Sequence, residues 1–393
     1  MNQKLQKSDR LQYKNYLFTF MLVGITLLYS VFFMHYTSYD FGEHNKVAEW
    51  IKQGTYSMEE AMNADIYLHI LSYPLYHAFV AVASFLFRID IHTAMAIVLT
   101  VANVGMIIVV RYGMLYITKT EDVRYRYLID VISCTSTVFV NAVSPLNEYR
   151  YYARQGAANP IHNPTIMMVK PFGILALVLF CQLLRQYKKQ QYEIKYYILF
   201  SVTLTISCIA KPSLLMVILP AMGLMVLKEI IWDKTLKLAI YMFLSVCPAL
   251  IMLVVQYLFV NAYSEELATK IVVGGFSGFT IPEIILCSLT SFPVVFLAFS
   301  RRALKEETAY QTAILALAAG WLQMFFLTQG DSGNYSWGYF IGIQIATVVS
   351  LACSIKYNYH PIRKIIIWLV YAYQVLCGFS YIDAAYHNMG FWF

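Results

Sequence analysis

The sequence predicts an all-α membrane protein: a polytopic bundle of about 11 transmembrane helices, with two juxtamembrane helices lying along the outer face in the first outer loop. Two observations predict it. Of the 393 residues, 59% are hydrophobic and only 13% are charged, whereas soluble domains carry about 25% charged residues. Apolar runs of about 17 to 25 residues recur along the chain, each long enough to cross a hydrocarbon core of about 30 Å. Residues 1–393 are therefore predicted to form a single transmembrane domain.

The orientation of the predicted spans follows from the basic residues. The spans are 16–36, 91–117, 127–145, 166–184, 196–210, 213–228, 238–260, 283–300, 310–328, 337–355 and 365–381. Threaded from a cytoplasmic N-terminus at 1–15, they place 21 of the 29 Lys and Arg residues inside, as the positive-inside rule requires. The net charge of +7 is therefore explained by the orientation of the spans in the membrane, and no nucleic-acid partner is expected. The longer outer segments are 37–90, 146–165, 261–282 and 329–336.

The first outer loop, 37–90, is predicted to hold the two surface helices, at about 40–53 and 69–87. The stretch YPLYHAFVAVASFLF (73–87) is apolar but short for a span, and such lengths are typical of interfacial or re-entrant helices. Counting it as a span would invert the charge asymmetry of every later loop. We therefore expect the segment to stay on the outer side.

The candidate catalytic residues are Asp40, Glu43 and His44, in HYTSYDFGEHNKVAEW directly after the first span. On a helix their spacing places all three on one face. A carboxylate at a lipid–water boundary can have a shifted pKa, or be held ionised by a basic neighbour, and act as a base. The alternative is that a helix on a membrane surface simply needs a solvated polar face, and both interpretations stay open.

Cations in the second outer segment oppose the positive-inside trend. In NEYRYYARQGAANPIHNPTIMMVKPF, Arg150 and Arg154 are one turn apart, and Lys170 follows about one turn inside the next span. An intramembrane lysine is costly unless it snorkels or is paired. Arg and Lys together could bind a lipid phosphate, whereas snorkelling beside an aromatic belt is the ordinary alternative. The placement outside favours phosphate binding.

Two shorter stretches add candidates. In AKPS (210–213), Lys211 is the only charge between two apolar runs, either in a tight outer turn or as a fourth phosphate-binding cation. In QGDSGNYSWGYF (329–340), Asp331 could accept hydrogen bonds, Asn334 could donate and accept them, and Trp337 could stack on a sugar ring. The alternative for this second stretch is a Gly-rich turn with interfacial aromatic residues.

No metal site or cofactor is predicted, although a divalent cation remains open. The seven cysteines fall in predicted spans and none in an outer loop, which excludes a disulfide framework and a Cys-based metal site. The remaining histidines are scattered at 69, 77, 92, 162, 360 and 387, without the spacing of zinc hydrolases. The cytoplasmic connections contain no Gly-rich phosphate loop.

These features together resemble the GT-C superfamily, the polytopic membrane glycosyltransferases that use polyprenyl-phosphate-linked sugar donors. SYDFGEHNKVAEW occupies the place of that family's first outer loop, whose surface helix bears a catalytic acidic residue, and SYPLYHAFVAVASFLF is similar to its second, Pro-containing surface helix. NPIHNPTIMMVKPF and GNYSWGY resemble segments of bacterial members. Two departures are the separation of Asp40 from Glu43 and the lack of a soluble C-terminal domain.

The resemblance implies an inverting transfer of sugar to a glycan, cell-wall polymer or lipid at the outer face of the plasma membrane. Asp40 would be the general base, with Glu43 or His44 orienting it or the acceptor. The donor phosphate would be bound by Arg150, Arg154, Lys170 and Lys211, and the sugar by His162, Asn163, Asp331, Asn334 and Trp337. The partners are then the lipid-linked donor, the acceptor and membrane lipid.

Two other functions stay open. A Wzy-like polysaccharide polymerase or O-antigen ligase also acts on lipid-linked sugars outside, but such proteins typically carry arginines in large late loops, whereas the outer arginines here are early, at 88, 150 and 154. A transporter or flippase of lipid-linked sugar ranks third, because paired repeats and mid-membrane charges in the later spans are not evident.

Overall fold

The computed structural model describes residues 2–36, 39–55, 72–138, 163–233, 236–263, 269–271, 289, 291–329 and 335–387. Within these ranges the protein is almost entirely helical, which confirms the predicted all-α class. Its helices are α1 (Asn2–His35), α2 (Tyr39–Gln53), α3 (Leu75–Phe87), α4 (Ile91–Thr118), α5 (Val123–Thr135), α6 (Pro164–Lys188), α7 (Ile194–Ala210), α8 (Ser213–Asp233), α9 (Lys237–Tyr263), α10 (Phe292–Leu297), α11 (Arg301–Glu306), α12 (Thr308–Phe326), α13 (Ser336–Lys356) and α14 (Pro361–Tyr386). Two antiparallel strands, β1 (Thr269–Ile271) and β2 (Leu327–Gln329), pair Thr269 with Gln329.

Eight of the described helices are long and apolar enough to cross a membrane, so the chain is a multi-pass membrane protein. They lie at Tyr16–His35, Ile91–Thr118, Pro164–Lys188, Ser213–Trp232, Lys237–Val260, Thr308–Phe326, Ser336–Lys356 and Pro361–Tyr386. Each corresponds to one of the eleven predicted spans.

Of the other three predicted spans, one is helical over its whole length and two are shorter in the described residues. In place of 127–145, α5 has 13 residues and begins at the polar sequence VRYR, and residues 139–145 lie outside the described part of the chain. The predicted span 196–210 is covered in full by α7, which has 17 residues and ends at Ala210 because Pro212 forces the residue before it out of the helical region. The described part of 283–300 holds only the six-residue α10, which ends before Ser300 begins a new turn into α11.

Helices form at both positions predicted for the first outer loop. The second of them, α3, begins after Pro74 and ends where Arg88 takes a left-handed conformation. Its 13 residues extend about 20 Å, less than a hydrocarbon core. The two helices pack against each other and against α4. That they lie along the outer membrane surface stays a prediction.

The centre of the bundle is formed by α6 and α13. Every residue from Trp337 to Ile355 in α13 is buried, and α12 packs closely along it. At the closest approach, a Cβ on Gly320 would lie 2.7 Å from the Cα of Tyr339, so only glycine fits there. At the N-terminal end of α6, residues 163–170 are all buried, and this end carries the candidate site.

Candidate functional site

Asn163, the N-cap of α6, joins two predicted outer segments. Its Oδ1 accepts hydrogen bonds from the backbone N–H of Thr165 (3.0 Å) and Ile166 (3.3 Å) and from the Thr165 hydroxyl (2.6 Å). The two backbone bonds satisfy two of the free N–H groups of the first turn, and the three donors together determine which amide atom is the oxygen. The Nδ2 group therefore points away from α6, toward Asp40 Oδ2 (3.3 Å) and His44 Nε2 (3.3 Å).

The orientation of this amide determines the tautomer of a histidine pair. Because Asn163 Nδ2 is a donor, His44 Nε2 must accept, and the proton of neutral His44 lies on Nδ1. His44 Nδ1 is 2.8 Å from Nε2 of His77 and donates to it. The two rings stack at 5.1 Å between centroids, and both side chains are buried. His77 is consequently neutral as well, with its proton on Nδ1, a buried atom for which the described residues provide no hydrogen-bond partner.

Asp40 and His44 reach Asn163 together because they are one turn apart on α2. Phe41, Val47 and Ala48 of the same helix are buried in the core and hold it against the bundle. The Tyr76 hydroxyl of α3 donates to Asn45 Oδ1 (3.2 Å), which fixes α2 against α3. The carboxylate of Asp40 is thereby held at the N-terminal end of α6.

Lys211 connects to the same cap from the other side. It lies in extended conformation between α7 and α8, as expected before Pro212. Its Nζ donates to the Thr165 hydroxyl at 3.0 Å. The same ammonium lies 5.2 Å from the ring centroid of Tyr73 and 5.1 Å from that of Trp337, within the range of cation–π attraction.

The bonds form one continuous chain with consistent donors and acceptors. Lys211 donates to Thr165, Thr165 to Asn163, and Asn163 to both Asp40 and His44. The chain then ends at His77. We call these six residues the Asp40 network. It connects one carboxylate to one ammonium through neutral groups only.

Burial and charge shift the pKa values of Lys211 and His77 in this network and of the neighbouring Tyr73. Burial lowers the pKa of Lys211 to about 7, while the negative charge of Asp40 acts in the opposite direction. Burial, and after it the charge of Lys211, lowers the pKa of His77 to about 3, so this imidazole is neutral at physiological pH. Burial and the charge of Asp40 raise the pKa of Tyr73.

A cavity of about 450 Å³ lies beside Lys211. Tyr73, Lys211 and Trp337 form its polar end. Apolar side chains of α8 and α9 also line it (Met216, Leu253, Val254 and Val260), and hydroxyls and one amide do so as well (Ser72, Ser213, Gln256, Thr269 and Tyr335). This shape suits a ligand with a charged head and a hydrocarbon tail.

Five of the predicted site residues meet in and around the Asp40 network: Asp40, His44, Asn163, Lys211 and Trp337. Glu43 accepts a hydrogen bond from the exposed Lys46 (3.0 Å) one turn further along α2. Lys170 is buried two turns into α6. In the part of the chain that the structure describes, its ammonium makes no hydrogen bond or ion pair, so it does not join the network.

The other predicted site residues lie outside the described residues. They are two of the proposed phosphate-binding cations and three of the proposed sugar-binding residues: Arg150, Arg154, His162, Asp331 and Asn334.

Sequence reasoning missed His77, Tyr73 and Thr165. His77 was one of six scattered histidines, and only the packing of α3 on α2 brings it to His44. A usable signal was present at Thr165, since Asn-Pro-Thr before an apolar run is a helix start with an N-cap and a proline at the first position.

Among the described side chains, no three His, Cys, Asp or Glu residues are grouped to hold a metal ion. A comparison of the chain with protein-family models finds no match, and a comparison with curated proteins finds no similar sequence.

Proposed function

We propose that this protein is an inverting glycosyltransferase, which moves a sugar from a polyprenyl-phosphate donor to an acceptor hydroxyl at the outer face of the plasma membrane. The observation that carries the proposal is the Asp40 network. It holds a carboxylate and a buried ammonium on one helix cap, beside a cavity with a polar end and apolar walls.

Asp40 has the surroundings of a general base. Its Oδ2 accepts a hydrogen bond from the Asn163 amide, which fixes the orientation of the carboxylate. The side chain is only half-buried, so an acceptor hydroxyl can approach it. With the sugar of the donor between this carboxylate and Lys211, the two groups would act on opposite sides of the anomeric carbon.

Lys211 has the surroundings of a phosphate-binding group. Its positive charge faces two aromatic rings and one hydroxyl, and in the described chain no carboxylate lies within ion-pair distance of it. A buried cation without a counter-ion is unfavourable. A phosphate at the polar end of the cavity would remove this cost, while the apolar walls would contact the first isoprene units.

The reaction balances with these two groups. Asp40 takes the proton of the acceptor hydroxyl, whose oxygen forms a bond to the anomeric carbon as the bond from that carbon to the phosphate oxygen breaks. The leaving polyprenyl phosphate gains negative charge, which Lys211 stabilises. Attack from the side opposite to the leaving group inverts the anomeric configuration.

The choice of donor tests the proposal. Membranes containing the protein, and matched membranes lacking it, are given the same radiolabelled sugar as a polyprenyl phosphate, a polyprenyl diphosphate or a sugar nucleotide. We expect protein-dependent transfer of label to a non-lipid or second-lipid product with the polyprenyl phosphate alone. Transfer from the nucleotide would contradict the proposal, as would movement of intact donor across the membrane without loss of its sugar.

Donor binding should depend on the ionisation of Lys211. With a lowered pKa of about 7, Lys211 loses its charge as the pH rises through neutrality, whereas the donor phosphodiester stays singly charged. The charged groups facing Lys211 are Asp40 from α2 and, when protonated, His77 from α3. We expect the KM for donor to rise about 10-fold per pH unit above pH 7, measured between pH 6 and 8.5.

The matched variants for this profile are Lys211→Arg and Lys228→Arg. Arginine stays charged throughout the range, so the first variant should have a KM that does not change with pH. Lys228 lies near the C-terminal end of α8, where it donates to Gln311. The Lys228→Arg variant should therefore keep the wild-type dependence of KM on pH. A Lys211→Arg profile that rises like the wild type would show that another group titrates.

A further inference from the structure

Five cations gather at the end of the bundle opposite to the Asp40 network. Arg185, Lys188 and Lys189 end α6, Lys119 follows α4, and Lys356 ends α13. The 25 residues of α6 separate this end from Asn163 by about 37 Å. These three helices contact one another, so their ends lie side by side.

Two of the five cations have a carboxylate partner. Lys188 forms an ion pair with Glu229 (2.9 Å), and Lys356 forms one with Glu307. For Lys119, Arg185 and Lys189, the described residues provide no carboxylate within ion-pair distance. We call these three residues the basic triad.

Arg185, the central residue of the triad, lies over Tyr116, and the two lysines lie near it along the chain. The Arg185 guanidinium lies 4.8 Å from the ring centroid of Tyr116, and the hydroxyl of this tyrosine donates to Gln182 Oε1 (3.1 Å). Lys119 follows Tyr116 by three residues, and the backbone N–H of Lys189 bonds to the Arg185 carbonyl (3.3 Å). The pKa of Lys119 is lowered, chiefly by the charge of Arg185 and then by burial, Lys356 and Lys189, against the opposing charge of Glu307.

Other cations at this end of the bundle form ion pairs with carboxylates close to them in the chain. Arg124 pairs with Asp122 (3.0 Å), Lys195 with Glu193 (2.6 Å) and Arg302 with Glu306 (3.0 Å). Helix C-termini and snorkelling account for isolated cations at such positions. They do not account for three mutually repelling cations that have no carboxylate between them among the described residues.

An anionic ligand would neutralise the triad, and the surface next to it indicates which class of molecule carries that anion. Ile108 and Tyr112 are 51% and 56% exposed on α4, and with Tyr116 and Lys119 they follow one helical face. An apolar exposed face on a membrane-spanning helix contacts acyl chains. Basic pockets between spans bind phospholipid head groups at such places. We therefore expect the anion to be the phosphate of a lipid head group.

We propose that Lys119, Arg185 and Lys189 bind the phosphate of an anionic phospholipid in the leaflet opposite to the Asp40 network. Arg185 would bind two phosphate oxygens through its planar guanidinium, and the two lysines would complete the site. The acyl chains would lie along Tyr112 and Ile108. This site does not depend on the glycosyltransferase proposal, and either can fail without the other.

Native mass spectrometry of the purified full-length chain tests the site by comparing bound dioleoyl phosphatidylglycerol with dioleoyl phosphatidylcholine. We expect the wild type to bind the anionic lipid at least about 10-fold more tightly, about 1.4 kcal/mol. The triple variant K119Q/R185Q/K189Q should bind both lipids equally. The single variant K119Q, at an exposed position, should lose about 3-fold and serves if the triple variant does not fold.

The matched control is R124Q/K195Q/R302Q, which removes the same charge from the same end but from cations that already have partners. It should keep the preference of the wild type. An equal loss in this control would mean that net charge alone attracts the lipid, and would overturn the site. Competition by glycerol phosphate as strong as by the lipid would overturn a phospholipid as the ligand.

Discussion

Replacing Asp40 by asparagine should lower the rate of sugar transfer by about 10² to 10⁴-fold, the usual contribution of a positioned general base. The asparagine side chain has the same size but cannot take the proton of the acceptor hydroxyl. Its amide oxygen can still accept from Asn163, so the network and the packing of α2 should persist. The expected signature is a loss in kcat with little change in the KM for donor. Initial rates with radiolabelled donor, at saturating acceptor, measure it.

The matched control is Glu49→Gln on the same helix. Glu49 accepts a hydrogen bond from Gln53 (2.6 Å), a bond that glutamine can replace, and it has no hydrogen bond with the Asp40 network. This variant should transfer sugar at the wild-type rate. An Asp40→Asn enzyme as active as Glu49→Gln would remove Asp40 as the base.

The class of the fold could be predicted from the sequence because lipid imposes it. A low charge content and long apolar runs leave few alternatives to a helical bundle, and the eight candidate spans each correspond to a predicted one. Two helices in predicted spans, α5 and α10, are shorter in the described residues than hydropathy predicts. The end of α5 and the break between α10 and α11 depend on local polar residues that a sliding average hides.

The site could be predicted only in part, for a different reason. Asp40 and His44 share a helical face, which spacing alone reveals. Their contact with Asn163, 123 residues from Asp40, depends on how α2 packs against α6, and no local pattern encodes that. His77 illustrates the limit: an isolated histidine in an apolar helix has no sequence signal until a partner is placed beside it.

Replacing Asn163 by aspartate should separate its function as the N-cap of α6 from its function as the hydrogen-bond donor to Asp40. Aspartate caps a helix as well as asparagine does, so the hydrogen bonds from Thr165 and Ile166 should remain. The Nδ2 donor is lost, and a second carboxylate faces Asp40. We expect kcat to fall by about 10²-fold through misplacement of the base. We also expect the midpoint of the acid limb of the pH–rate profile to move to higher pH by about one unit or more, because neighbouring carboxylates share a proton. Rates between pH 5 and 8 measure both.

The variant Asn163→Ser distinguishes the effect of the added negative charge from the effect of the lost Nδ2 donor. Serine also caps but adds no carboxylate, so kcat should fall by a similar factor while the acid limb stays in place. Asp90→Asn makes the reverse exchange at the N-cap of α4, where Asp90 accepts from the Thr93 N–H (2.9 Å), and should leave the rate unchanged. If Asn163→Asp kept the wild-type rate and profile, the amide would serve only as a cap. The hydrogen bond to Asp40 would then have no part in catalysis, and the case for the network as an active site would be lost.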